Sequence, residues 1–129
     1  MRVLLADDDR IQVQMVSSRL KAKGVDVVVA FDAMEAWMIA MKTPPDAIVL
    51  DINMPGGSGL DVLKKLKTSS KTNQIPVIVA SGSIGVQDEQ KVRDLGADEF
   101  LRKPLDLDHL NRSLSRLLGK PLGPAPEAA

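Results

Sequence analysis

Three acidic positions, one lysine and one serine hold the chemistry of this chain. Asp51 closes the apolar run Asp46-Ala47-Ile48-Val49-Leu50 and opens a Pro/Gly-rich loop, Ile52-Asn53-Met54-Pro55-Gly56-Gly57-Ser58-Gly59. Asp7 and Asp8 follow Val3-Leu4-Leu5-Ala6, Ser81 follows Val77-Ile78-Val79-Ala80, and Lys103-Pro104 follows Phe100-Leu101-Arg102. A short aliphatic run ending in a polar residue reads as a buried strand of a parallel sheet, and open α/β sheets keep their ligand chemistry beyond the strands' C-terminal ends. Carboxylates brought together there repel: a like-charge pair about 4 Å apart costs roughly 4 kcal/mol at an effective dielectric near 20. A fold holds such a group by raising a pKa or by binding a cation. Oxygen donors without His or Cys suit Mg²⁺ or Mn²⁺, and Mg²⁺ readily accepts phosphate oxygens as well. The Lys103 ammonium and the Ser81 hydroxyl complete a cradle for a tetrahedral phosphoryl group, with Asp51 as the nucleophile that becomes an aspartyl phosphate.

These residues meet only if the elements carrying them lie side by side. Five strand-like segments, near 2–6, 25–30, 46–51, 75–80 and 97–102, alternate with five helix-like ones. Ile11, Met15, Val16 and Leu20 form one helical face, closed by Gly24 at a C′ position. Leu60, Leu63 and Leu66 form another, with Lys64, Lys65 and Lys67 outward on what reads as a solvated face. Asp106 is the expected N-cap of a last helix whose period runs through Leu107, Leu110, Leu114, Leu117 and Leu118. The fourth helix, about 86–95, is thin, with Val92 and Leu95 as its main apolar residues. Strict β-α alternation predicts a parallel sheet flanked by helices on both faces. After Gly119, residues 120–129 are Pro-rich and aperiodic, and are expected to be a disordered tail or the start of a linker beyond a 1–119 domain.

Composition narrows the function. A chain of 129 residues, 44% hydrophobic, fits one domain with a real core. Lys plus Arg number 17 and Asp plus Glu 17, so no net field favours nucleic acid or a membrane surface. No apolar run is long enough to span a bilayer, no secretory signal is visible, and cysteine is absent. Cytoplasmic is the default location, and disulfides and thiolate metal sites are excluded.

The order and spacing of these elements resemble the response-regulator receiver domain of two-component signalling, across residues 1–119. Asp7-Asp8, Asp51-Ile52-Asn53-Met54-Pro55 with Gly59, Ser81 and Lys103-Pro104 carry the resemblance. It implies a flavodoxin-like α/β fold with five helices and a doubly wound five-stranded parallel sheet in the order 2-1-3-4-5. It further implies that Asp51 is the phosphoacceptor, that Asp8 and Asp7 form the acidic pair with Asp8 the more direct ligand of Mg²⁺, and that Asn53 gives the metal its backbone carbonyl. Ser81 and Lys103 would bind the phosphoryl oxygens, the Lys103–Pro104 bond would be cis, and Phe100 stands where the family has its switch aromatic. A histidine kinase or histidine phosphotransfer protein would be the donor. A downstream protein would dock on the fourth helix, fifth strand and fifth helix, with the chain a monomer or a phosphorylation-dependent dimer. Ser81 stands in place of the commoner Thr and keeps the hydroxyl.

Plainer readings stand beside these. Asp9 reads as a helix cap, the Met54-Pro55-Gly56-Gly57 glycines as turn chemistry, Ser83 as a loop hydroxyl, and Phe100 equally as core or as switch. Trp37 is expected to pack against the sheet, and the lone His109 sits on a polar stretch unsuited to a phosphodonor. Two rivals remain for the whole chain: an Asp-nucleophile phosphatase, for which no loop is long enough to build a substrate cap, and an unphosphorylated scaffold, which has no need of clustered carboxylates.

Overall fold

In a computed structural model of the chain, residues 1–54, 59–82 and 86–122 are described. The loop residues Pro55, Gly56, Gly57 and Ser58, Ser83 and the tail from Gly123 to Ala129 lie outside the described residues. The elements run β1 (Arg2–Ala6), α1 (Arg10–Ala22), β2 (Asp26–Ala30), α2 (Ala33–Lys42), β3 (Ala47–Asp51), α3 (Gly59–Thr68), β4 (Val77–Ser81), α4 (Val86–Asp94), β5 (Glu99–Arg102) and α5 (Leu107–Leu118). All strand pairs are parallel, and the sheet order is β2-β1-β3-β4-β5. Every residue of β3 and β4 is buried, whereas the outer strands β2 and β5 are only partly so, which explains why the two inner strands read as unbroken aliphatic runs.

Alternate strand residues feed two cores. Leu4, Ile48, Leu50, Val77 and Val79 pack on one face with Ala36, Leu63, Leu66 and Val92 from α2, α3 and α4. Val3, Leu5, Val49, Ile78 and Leu101 pack on the other with Val13, Val16, Leu20, Leu110 and Leu114 from α1 and α5. Asp9 and Asp106 cap α1 and α5 as expected, each accepting two backbone N–H groups, and Gly24 has the positive φ of 79° that a C′ residue needs.

Three expectations are corrected. Ile11 and Met15 are 73% and 58% exposed; α1 instead buries Val13, Val16, Ser17 and Leu20. Both stripes have helical spacing, and the one packed on the sheet is Val13, Val16 and Leu20 with Ser17. Ile11 and Met15 are left over a shallow cleft beside Pro104, Leu105 and Leu107. Lys67 is no solvated lysine: its ammonium donates to the Ile75 carbonyl at 3.0 Å and to Asp98 Oδ2 at 2.9 Å. Its stem lies across Gly96, where a Cβ would come within 2.9 Å of Lys67 Cγ. Leu122, placed by sequence in the tail, is buried against the α1–α5 core.

The start of α3 touches the site loop backbone to backbone. A Cβ on Gly59 would lie 2.3 Å from Ile52 Cα, so Gly59→Ala must displace one main chain or the other. We expect a loss of about 1–3 kcal/mol, the range for overpacking, read as a lower denaturant midpoint at unchanged slope. An unchanged midpoint would show that the segment between Ile52 and Gly59 gives way.

Candidate functional site

The strand ends bring the singled-out residues to one edge. Asp51 is the last residue of β3 and Ser81 the last of β4, while Asp7 and Lys103 each follow directly on their strand, β1 and β5. Parallel register aligns these ends: Ala6 pairs with Leu50, Asp51 with Ala80, and Ser81 with Arg102. Asp7, Asp51 and Ser81 are buried, and Asp8 is exposed.

Lys103 ties the site together. Its ammonium donates to Asp7 Oδ2 at 2.9 Å and to Asp51 Oδ2 at 3.0 Å, across 96 and 52 residues of sequence. The other oxygen of each carboxylate is held by the chain: Asp7 Oδ1 accepts the Asp9 N–H and Asp51 Oδ1 the Asn53 N–H, both at 2.9 Å. Lys103 is itself placed by its N–H donating to the Ser81 carbonyl at 3.0 Å, and the peptide bond that follows, to Pro104, is cis. At the rim the Asn53 side-chain amide donates to Ser81 Oγ at 3.0 Å. That bond was invisible to sequence reasoning, which gave Asn53 only a backbone role, because nothing in the chain signals that residues 53 and 81 adjoin.

Burial raises the Asp7 carboxyl above its ordinary pKa, against the lowering pull of the Asp9 N–H and of Lys103. For Lys103 burial works downward, yet the hydrogen bonds and charges of Asp7 and Asp51 outweigh it and hold the ammonium above its usual value. A carboxylate with a raised native pKa destabilises the fold once it is ionised. That cost is absent below the unfolded value near 3.9 and grows as pH rises through the native one. In the metal-free protein Asp7→Asn should therefore melt above wild type at neutral pH, with the gap closing as pH falls toward 4. A gap independent of pH would mean that charge burial is not its cause.

One oxygen from each of Asp7, Asp8 and Asp51 lies within 4.8 Å of the others. Around an octahedral ion with bonds of about 2.1 Å, opposite ligands sit about 4.2 Å apart, so the three could share one Mg²⁺ after a small inward shift, which exposed Asp8 is free to make. Charge agrees: three carboxylates and one ammonium leave two negative charges, the complement of a divalent cation. The donor set fits Mg²⁺.

Phe100 is 6% exposed and sits in the α2–α4 core, with the Arg102 guanidinium carbon 5.7 Å from its ring centroid. Of the two readings of Phe100, its burial accords with a core residue. Trp37 is half-buried against the same core, and Lys65 Nζ lies 5.8 Å from its ring centroid. His109 is exposed. No helix among the described residues is long and apolar enough to cross a membrane.

Comparison with known proteins agrees with this geometry. The family model of the response regulator receiver domain matches residues 3–115. The transcriptional regulatory protein PrrA of Mycobacterium leprae is 39% identical over 117 residues, covering 91% of this chain and 49% of PrrA. The DNA-binding dual master transcriptional regulator RpaA of Synechocystis is 33% identical over 117 residues, covering 91% of this chain and 48% of RpaA. The chain thus spans about half the length of these curated relatives. Among solved structures, the receiver domain of the Francisella response regulator 1452 superposes with a TM-score of 0.84 at 31% identity, over 92% of this chain and 96% of that one. The chemotaxis response regulator CheY4 of Vibrio cholerae gives 0.83 at 31% identity, over 90% and 97%.

Proposed function

Since the chain belongs to the response regulator receiver domain family, we propose that it is a phosphorylation-controlled switch whose acceptor is Asp51. The observation that carries this reading is the Lys103 ammonium, 2.9 Å from Asp7 and 3.0 Å from Asp51, beside a cluster of three carboxylates. A carboxylate oxygen of Asp51 attacks phosphorus while the bond to the donor breaks. The donor is a phosphohistidine of a histidine kinase or phosphotransfer protein, whose imidazole leaves, or a small acyl phosphate, whose carboxylate leaves. Asp8, Asp7, Asp51 and the Asn53 backbone carbonyl would hold Mg²⁺, which when bound neutralises charge on the transferring group.

The chain's own residues do the rest. Asn53 N–H fixes one oxygen of Asp51, leaving the other to the Lys103 ammonium and the incoming phosphorus. Once phosphorylated, the side chain carries close to two negative charges at neutral pH by analogy with other phosphorylated residues, and draws Lys103 and the Ser81 hydroxyl toward it. The Ser81 hydroxyl can donate to a phosphoryl oxygen while its Oγ still accepts the Asn53 amide. Ser81 ends β4, next to β5, and β5 is tied to both of its helices. Arg102 meets Glu89 of α4 at 3.6 Å, Arg93 of α4 meets Glu99 at 3.6 Å, and Arg116 of α5 also pairs with Glu99. A shift of Ser81 and Lys103 therefore biases an α4–β5–α5 surface, on which a downstream protein would dock. Hydrolysis at Asp51 resets it.

Intact mass after incubation with Mg²⁺ and acetyl phosphate tests the acceptor. A single base-labile phosphoryl adduct on wild type, absent from Asp51→Asn, is expected. An adduct that persists in the variant moves the acceptor elsewhere. No adduct either from acetyl phosphate or from a phosphohistidine protein overturns the reading in favour of a silent scaffold.

A further inference from the structure

The outer face of α2 is apolar, exposed and charged at its two ends in opposite senses. Met34 and Met38 are 57% and 60% exposed, and with Met41 and Trp37 they line one groove. Glu35 and Lys42 flank the same groove, Glu35 in the first turn of the helix and Lys42 in the last. They stand seven residues apart, about 10.5 Å along the axis, too far to pair with each other. Neither side chain forms an ion pair among the described residues.

We propose that this face docks a second copy of the chain, α2 against α2 and antiparallel, about a two-fold axis close to Met38. In that arrangement each Glu35 meets the partner's Lys42, so a single complementary pair is used twice, as an isologous interface requires. The antiparallel helices also set their dipoles in opposition. A parallel pairing would instead put Glu35 on Glu35 and Lys42 on Lys42. The methionines suit the centre, because their unbranched side chains interdigitate without a preformed socket. Contiguous exposed apolar surface with a polar rim is the usual mark of such contacts. A helix of ten residues buries less than the roughly 1,200 Å² where standard interfaces begin, so the dimer is reversible and dependent on concentration. The surface is distinct from the α4–β5–α5 face and its use needs no phosphoryl group.

Sedimentation equilibrium of the unphosphorylated full chain over a wide concentration range tests it. Wild type should show a monomer–dimer equilibrium. Glu35→Lys and Lys42→Glu should each weaken it by about ten-fold, since each replaces two attractive contacts with two repulsive ones. The double variant Glu35→Lys/Lys42→Glu should recover the wild-type constant, and Met38→Glu should be monomeric. Melting curves matching wild type keep partial unfolding from imitating the effect. A wild type that stays monomeric throughout overturns the proposal and leaves the face to a helix of another protein. Single reversals without effect, or a double variant without recovery, overturn it equally by placing the dimer on another surface.

Discussion

Replacing Lys103 with methionine should cost the metal-free protein about 3 kcal/mol, the penalty for removing one partner of a buried ion pair and leaving the other uncompensated. Here two carboxylates are left: Asp7 and Asp51, with side chains 3% and 5% exposed, lose the ammonium that lies 2.9 and 3.0 Å away. The Lys103 side chain is 19% exposed, so solvent screens little of the pair. Methionine keeps the length of the stem, which confines the change to charge and hydrogen bonding. The sign with pH follows from the raised pKa of the ammonium: its contribution is complete at neutral pH and is lost only as pH climbs past the ordinary lysine range through the native value. Mg²⁺ gives the distinguishing readout. The variant's three carboxylates lack an internal counter-charge, so Mg²⁺ should stabilise it more than it stabilises wild type. Equal Mg²⁺ increments in the two denaturation midpoints would show that Lys103 is not the counter-charge of this site.

Asp51→Asn should act in the opposite direction. In the chelated protein it removes one of three crowded carboxylates while its side-chain oxygen can still accept the Asn53 N–H, so stability should rise by about 1–2 kcal/mol, part of the like-charge cost being offset by a weaker bond to Lys103. Adding Mg²⁺ then reverses the ranking. At a hundred times its dissociation constant a ligand contributes about 2.7 kcal/mol, several degrees in melting temperature for a chain of this size. Wild type should show this in full, and the variant, with one carboxylate fewer, only a fraction. Thermal melts in EDTA and in excess Mg²⁺ give all four values. If the metal raises both proteins by the same amount, Asp51 is not one of its ligands.

The fold was legible for a simple reason: each element declares itself locally. Ala47-Ile48-Val49-Leu50 must be buried on both faces, so it is an inner parallel strand, and the structure has it as β3. Strand ends, caps at Asp9 and Asp106, and the C′ glycine at 24 likewise depend on neighbours a few residues away. Where two local patterns compete, the chain alone does not choose. Ile11 and Met15 have the same helical period as Val13, Val16 and Leu20, and only the sheet's surface decides which stripe fits. Lys67 reads as one lysine among three until Gly96 and Asp98 arrive from β5's approach.

The site divides in the same way. Residue types and their positions at strand ends determined that Asp7, Asp8, Asp51, Ser81 and Lys103 share one edge, because parallel strands all present their C-terminal ends to the same side. What tertiary structure alone decided is how they pair. Lys103 bridges Asp7 and Asp51 instead of standing apart from them, Asn53 reaches Ser81, and Phe100 is already inside the core. Those facts rest on distances between residues tens of positions apart. Distances of that kind are set by sheet register and by the packing of two cores, and neither is written in any local stretch of the chain.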